Sequence, residues 1–343
     1  MIASTDNNNT MKAAVVVAAG KWEIKQIPIP QTTKGQVRVK VMACGVCYSD
    51  SMIVSGRVGP IFPRVPGHEI AGIVDALGEG VTKFKIGDRV GVGFFGGGHC
   101  GECTDCLSNS WVTCKSVGGC GISFNGGFAE YTVAPQDALS RIPDEIDFLQ
   151  AGPFCCAGVT VFNSIRNQGL RAGDLVAVHG IGGLGHLGIQ FARKLGYEVI
   201  AVSSGDDKEQ LAKELGAHHY INSTKPDVVG RLQALGNIKL IMCTAPAKES
   251  VELLSKALGF NGKLLLLAIM KELTINPLQL ISKNQSVVGS YCGDSRDTED
   301  TLKFAANQNI KSMLQVYPLE QVEECLNNIS KARFRAVLKI GDF

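Results

Sequence analysis

The chain has 343 residues, 45% hydrophobic and 19% charged, which is enough apolar side chain for roughly two domains and too much for a disordered chain. Lys and Arg exceed Asp and Glu by 34 − 32 = +2, which leaves no electrostatic footprint for nucleic acid or an anionic membrane. Glycine, 40 of 343 residues, far exceeds its average share of about 7%, so many backbone positions need unusual dihedrals or close approach. The longest apolar runs, Ala13–Ala19 and Leu264–Met270, fall short of the roughly 20 residues that span a bilayer. Residues 1–10 carry no basic region followed by an apolar one, as a secretory signal would. The expectation is a cytoplasmic protein with no membrane segment.

In chain order, β-rich segments come first, at Lys12–Ala18, Gln36–Val41, Gly72–Leu77 and Arg89–Val92. Beyond them lie four closely spaced cysteines, Cys100, Cys103, Cys106 and Cys114, in the pattern C-x2-C-x2-C-x7-C. Thiolates at that spacing, with glycine between them, can converge on one ion and close a tetrahedral structural zinc site. One or two disulfides, an iron–sulfur cluster and a nucleic-acid-binding zinc ribbon are the other readings. The flanking Glu102 and Asp105 are acidic, which disfavours the ribbon.

Strand and helix patterns alternate from about Ala151 to Gly289. Leu175–His179 reads as a buried parallel strand, and Gly180-Ile181-Gly182-Gly183-Leu184-Gly185 follows it at once. Leu184, Leu187, Phe191 and Leu195 then recur at helical spacing, with Gly196 as the C-terminal stop. Glycines at G-x-G-x-x-G between strand and helix allow a tight turn, close approach of a pyrophosphate, and helix–strand packing. The helix N-terminus then offers amides and the positive end of its dipole to phosphate. The next strand, Glu198–Val202, leads to Ser203-Ser204-Gly205, where NAD-binding proteins carry Asp or Glu for the ribose 2′-hydroxyl. Two hydroxyls with Lys208 suit a 2′-phosphate, so NADP is expected over NAD. Asp206 and Asp207 read as the opening acids of a helix Asp206–Leu215. A helix Asp297–Ala306 and a closing strand Arg335–Ile340 complete the pattern.

Three more metal-ligand types are scattered: Cys47 in C-G-V-C-Y-S-D, His68 in P-G-H-E, and Cys156 in F-C-C-A-G. Taken singly, each has a bland reading as a small buried thiol or a satisfied core imidazole. Together they make a three-ligand set with one position open. The stretch Gly67-His68-Glu69-Ile70-Ala71-Gly72, with Gly78 and Val81, fits the pattern G-H-E-x2-G-x5-[GA]-x2-[IVSAC] at every fixed position. From about Met11 to the C-terminus the chain resembles the zinc-containing alcohol dehydrogenases of the medium-chain dehydrogenase/reductase family.

The resemblance implies a fold of class α/β and β. A GroES-like β-barrel catalytic domain would occupy residues 1–151, completed by 290–343, and a Rossmann doubly wound parallel sheet residues 152–289. It implies two zinc ions per chain, the catalytic one on Cys47, His68 and Cys156. The contexts around them select these thiols over the neighbouring Cys44 and Cys155. Ser49 would carry the alcohol proton, Asp50 would orient the zinc-bound imidazole, and Glu69 would lie behind the metal. Gly180, Gly182, Gly183, Leu184, Gly185, Ser203, Ser204, Lys208 and Arg335 would contact the cofactor, Arg335 at the pyrophosphate. The run Ser203-Ser204 is similar to NADP-preferring branches such as the cinnamyl alcohol dehydrogenases. Phe95, five residues before Cys100, would line the substrate pocket.

One position departs from the family. A proton-relay histidine is common five residues after the first zinc ligand, and this chain has Met52 there. The implied reaction is reversible hydride transfer between a primary or secondary alcohol, or its aldehyde or ketone, and NAD(P). Polyol, threonine-type or formaldehyde-adduct oxidation are sister readings, and a non-catalytic zinc- and nucleotide-binding redox sensor is the reading from another class. The chain length resembles that of tetrameric microbial members, so a homo-tetramer is expected over a dimer.

Overall fold

The computed structural model describes residues 9–59, 61–329 and 334–343. They form two compact units. The first holds the described residues up to Cys156 with Gly293–Asn307 and Met313–Phe343, and the second holds Ala157–Cys292 and Gln308–Ser312.

The first unit is mainly antiparallel. Its strands are β1 (Thr10–Ala18), β2 (Lys21–Pro28), β3 (Gln36–Val46), β4 (Glu69–Leu77), β5 (Arg89–Val92), β6 (Tyr131–Pro135) and β7 (Leu139–Arg141). β1 and β2 make a hairpin, and β3, β4, β5 and β7 follow one another in a seven-stranded sheet. Two late strands, Leu314–Pro318 and Arg335–Lys339, extend that sheet beyond β3. The first half of β3 pairs with β6, and its second half, Ala43–Val46, pairs with the closing strand. Burial alternates along the first half of β3 but is continuous from Val41 to Val46. A strand covered on both faces has no period-two signature, which is why the sequence pattern stops at Val41. The extension delivers Cys47 at the end of β3, just as the start of β4 at Glu69 delivers His68. Val39, Val41, Ile70, Val90, Phe128 and Leu338 fill the core between.

The second unit is a six-stranded, all-parallel sheet of β8 (Leu175–His179), β9 (Glu198–Ser203), β10 (His219–Asn222), β11 (Ile238–Cys243), β12 (Lys263–Leu266) and β13 (Ser286–Gly289). The order β10-β9-β8-β11-β12-β13 reverses direction between β8 and β11. In such a sheet ligands bind at the carboxyl ends of the strands beside that switch point. All five residues of β8 are buried, as a central parallel strand requires. The helix expected over Asp206–Leu215 begins later, at Glu209, and runs to Glu214. Asp206 does not open it: its carboxylate pairs with Lys225 at 2.9 Å and accepts from Asn222 at 3.0 Å.

Among the described residues one helical stretch, Phe148–Arg166, is long and apolar enough to cross a membrane by length and composition, and 72% of it is buried within the protein.

Candidate active site and metal centres

Donor atoms of Cys47, His68, Glu69 and Cys156 lie within 4.8 Å of one another in the first unit. Cys47 precedes a short helix, Tyr48–Val54, and Cys156 lies on a single π-helical turn, Phe154–Gly158, a distortion frequent at functional sites. The Cys47 and Cys156 sulfurs stand 4.0 Å apart. Cys44 and Cys155 turn away: Cys155 donates to the carbonyls of Ile70 and Ala151, and Cys44 is a core side chain.

Asp50 organises the group. Its carboxylate accepts from the Cys47 and Gly67 amides at 2.9 and 3.2 Å and meets His68 Nδ1 at 3.2 Å. That fixes the ring and leaves Nε2 as the ligand face. Burial alone would push His68 down, but the Asp50 carboxylate prevails and holds it well above its ordinary range. The Cys156 thiol, aided by His68, outweighs burial and holds Cys47 well below the usual thiol range. The Ser49 hydroxyl is 3.7 Å from the Cys47 sulfur, and Met52 is half-buried on the same short helix.

Glu69 and Arg335 form an ion pair behind the thiols, both nearly inaccessible. Burial pushes Glu69 up to about 7 against the pull of the Arg335 guanidinium. Glu69 Oε2 and Arg335 Nε have no partner. A Cβ at Gly45 would lie 2.0 Å from Glu69 Oε2, so the glycine before Val46 is the space that carboxylate occupies. Arg335 was expected at a pyrophosphate, and the pairing with Glu69 had no signal in its surrounding sequence. A buried carboxylate with an orphaned oxygen, a low thiol and an oriented imidazole form a donor set that fits zinc.

Phe94, not singled out from sequence, meets the His68 ring edge-on at 5.3 Å. Phe95 packs edge-on against Phe94 at 5.3 Å and lines a small cavity with His99 and Trp111. The aromatic pair after β5 was the available signal, and counting back from Cys100 selected its second member.

The second cluster holds the sulfurs of Cys100, Cys103, Cys106 and Cys114 within 4.8 Å of one another. Cys100 is 3.8 Å from Cys106 and 3.6 Å from Cys114. Sulfurs about 2.3 Å from a tetrahedral ion stand about 3.8 Å apart, against about 2.05 Å in a disulfide. All four thiols are free, so the spacing fits a metal rather than a bridge. Amides of Glu102 and Cys103 lower Cys100 to about 6, whereas burial raises Cys106 to about 12. Trp111 secures the lobe: it stacks on His99 at 3.6 Å and under the Arg296 guanidinium at 3.6 Å. Arg296 also donates to the carbonyl and the side-chain oxygen of Asn109, each at 3.0 Å.

In the second unit the glycine loop joins β8 to the helix Gly185–Lys194. Gly180 has φ +92°, which an L side chain resists, and a Cβ at Gly185 would lie 1.8 Å from the Gly180 carbonyl oxygen. At Gly182 an added Cβ would meet nothing within 4 Å, so backbone there faces open space, as a cradle for a pyrophosphate must. Gly183 and Leu184 complete the turn into the helix. Ser203 ends β9 almost fully buried, Ser204 is exposed, and Lys208 stands just before the following helix. Tyr220 donates to the Gly205 carbonyl at 2.7 Å and holds that bend closed.

A metal-ligand group in a β unit, on one chain with a parallel sheet and phosphate loop, has the architecture of a dehydrogenase. Residues 33–144 match the alcohol dehydrogenase GroES-like domain and residues 183–307 the zinc-binding dehydrogenase family. Alcohol dehydrogenase notN of Aspergillus sp. (strain MF297-2) is 42% identical over 96% of this chain and 98% of its own. Among solved structures, acetophenone reductase from Geotrichum candidum NBRC 4597 in complex with NAD superposes with TM-score 0.83 at 25% identity, over 96% of this chain and 97% of that one. CAD from Helicobacter pylori complexed with NADP(H) gives TM-score 0.83 at 25% identity, over 96% and 98%. The chain belongs to the zinc-type medium-chain alcohol dehydrogenases, and its activity is that of an oxidoreductase. Its first unit is the GroES-like one and its second carries the Rossmann-type sheet.

Proposed function

We propose that this chain is a zinc-dependent dehydrogenase that moves hydride reversibly between a primary or secondary alcohol and a nicotinamide dinucleotide, with NADP preferred. The observation that carries the reading is the convergence of Cys47, His68 and Cys156 donors within 4.8 Å, with Asp50 behind the imidazole. These three side chains would hold one zinc, and Cys100, Cys103, Cys106 and Cys114 a second, structural one. When bound, the catalytic ion supplies a Lewis acid that makes an alcohol hydroxyl more acidic.

The chain's own groups do the rest. Ser49, both donor and acceptor, takes the alcohol proton. Met52 cannot pass that proton on, so it leaves through water or the cofactor ribose. Glu69 stays behind the ligands in the grip of Arg335, both side chains buried. Phe94, packed on His68, and Phe95 beside it form the apolar wall next to the ligand group.

The amides of the loop Gly180–Gly185 take the pyrophosphate. Ser203, Ser204 and Lys208 are the groups proposed to take a 2′-phosphate, with Asp206 drawn to Lys225 at 2.9 Å and Asp207 exposed beside them. The solved neighbours hold either cofactor, one NADP(H) and one NAD. We propose further that it acts as a cytoplasmic homo-tetramer. Ile269, Leu278, Ile281 and Tyr291, exposed on the segments before and after the edge strand β13, are consistent with a covering second copy.

Metal content measured together with steady-state rates on ethanol, benzyl alcohol and cinnamaldehyde, using NAD and NADP, tests the proposal. Two zinc ions per chain and alcohol-dependent NADP reduction are expected. Turnover that survives complete metal removal refutes it.

A further inference from the structure

The phosphate-loop helix opens Gly185-His186, and His186 has no exposed surface. Its backbone N–H donates to the Gly182 carbonyl at 3.1 Å, and its ring Nδ1 meets the same oxygen at 2.9 Å. A carbonyl oxygen only accepts, so Nδ1 carries the proton. Nε2 is then the acceptor for the Ser312 hydroxyl, 3.4 Å away. One turn on, Gln190 holds Lys311 by two bonds, donating to its carbonyl at 2.9 Å and accepting from its amide at 3.2 Å. His186 and Gln190 thus fasten the returning segment Gln308–Ser312 to the helix that carries the loop.

The loop needs such a fastening at one peptide. Gly182 and Gly183 are consecutive glycines, and a Cβ at Gly182 would meet nothing within 4 Å, so apart from the two His186 bonds to its carbonyl little packs against this turn. In a trans peptide C=O and N–H point in opposite directions. With the Gly182 carbonyl captured twice by His186, the Gly183 N–H points away from the helix body, toward where an anion at the helix N-terminus sits. If this plane turned over, it would present an oxygen to the phosphates and repel them.

We propose that His186 is a positioning residue for the dinucleotide pyrophosphate: it locks the Gly182–Gly183 peptide with the Gly183 amide outward, in the tautomer the Gly182 carbonyl requires and with Ser312 at its other ring nitrogen. The inference rests on the proposed nicotinamide cofactor. Only the fraction of loops in the competent orientation binds, so affinity falls in proportion when the lock is lost.

The matched pair His186→Asn and His186→Gln tests it, because the Asn amide falls near the Nδ1 position and the Gln amide near Nε2. NADPH and NADH binding would be titrated by protein fluorescence, with adenosine 2′-monophosphate, which lacks the pyrophosphate, as the control. His186→Gln is expected to weaken dinucleotide binding roughly 3- to 10-fold, the worth of one net hydrogen bond. His186→Asn is expected to stay within about 2-fold of wild type, and both variants to bind the mononucleotide as wild type does. Equal affinities in both variants, the reverse order, or a parallel loss of mononucleotide binding overturns the inference. A wild-type protein that binds neither dinucleotide overturns the proposed function as well, so the two failures are distinguishable.

Discussion

Gly182 and Gly185 lie three residues apart in one loop, yet alanine should act on them in opposite ways. At Gly185 the new Cβ would sit 1.8 Å from the Gly180 carbonyl oxygen, a backbone atom with no freedom to move aside. Overpacking of that kind costs about 1–3 kcal/mol. For a unit of roughly 150 residues, at about 2–4 °C per kcal/mol, the thermal midpoint should fall by about 2–12 °C. At Gly182 the Cβ meets no protein atom within 4 Å and the backbone is not left-handed, so stability should change by no more than about 1 kcal/mol. On the proposed function, the space the new methyl at residue 182 takes is the space a pyrophosphate would enter. Losing one charge-assisted hydrogen bond, about 1.5–3 kcal/mol, should weaken NADPH binding about 10- to 150-fold. Thermal melts without ligand and a fluorescence titration with NADPH read both effects. If Gly182→Ala melts as low as Gly185→Ala, or binds NADPH like wild type, the assignment of these glycines is wrong.

Asp50→Ala strips the support from His68 Nδ1 and from the Cys47 and Gly67 amides, and zinc affinity at Cys47, His68 and Cys156 should fall about 10- to 100-fold in a competition with a chromogenic chelator. Arg296→Ala removes the cation over Trp111 and the bonds to Asn109, so metal should leave the four-cysteine lobe about 2- to 30-fold faster, read as zinc release, while release from the other cluster is unchanged. In metal-stripped protein, Cys100, lowered to about 6, is mostly thiolate above that pH and protonated below it. Its alkylation rate, followed by mass spectrometry, should therefore level off near pH 7, whereas Cys106, raised to about 12, stays unlabelled; equal labelling of the two would be contrary to the structure. Turnover of the wild type should show no imidazole-like inflection from residue 52, and Met52→His should add one near the ordinary histidine range of about 6.5.

Much of this was legible because the chemistry is carried by unusual residues at fixed spacings. The four-cysteine pattern and the strand–glycine loop–helix sequence each impose their geometry locally, so neither needs long-range information. Cys47, His68 and Cys156 were legible only through the motif around them, since they arrive from three separate elements and spacing cannot bring them together. The remainder depended on tertiary partners. β3 outran its alternating pattern because its second half is covered on both faces. The Asp206–Leu215 helix lost its first turn because Lys225 and Asn222 draw Asp206 elsewhere. Glu69 and Arg335, 266 positions apart, find each other only once the closing strand pairs with β3. The edge strand Lys21–Pro28 has half-exposed and exposed residues throughout, and so offered no apolar run to read.

The five-residue return Gln308–Ser312 bears on how this chain can be dissected. A contiguous excision from Ala157 to Cys292 would keep every strand of the parallel sheet but leave Gln190 and His186 with empty hydrogen bonds on the nucleotide loop's own helix. The half proposed to bind the nucleotide is therefore not a portable cassette defined by two cut points. Grafting it between relatives requires carrying a second, short piece of sequence from near the C-terminus, and a chimera made without it should fold yet hold its cofactor poorly.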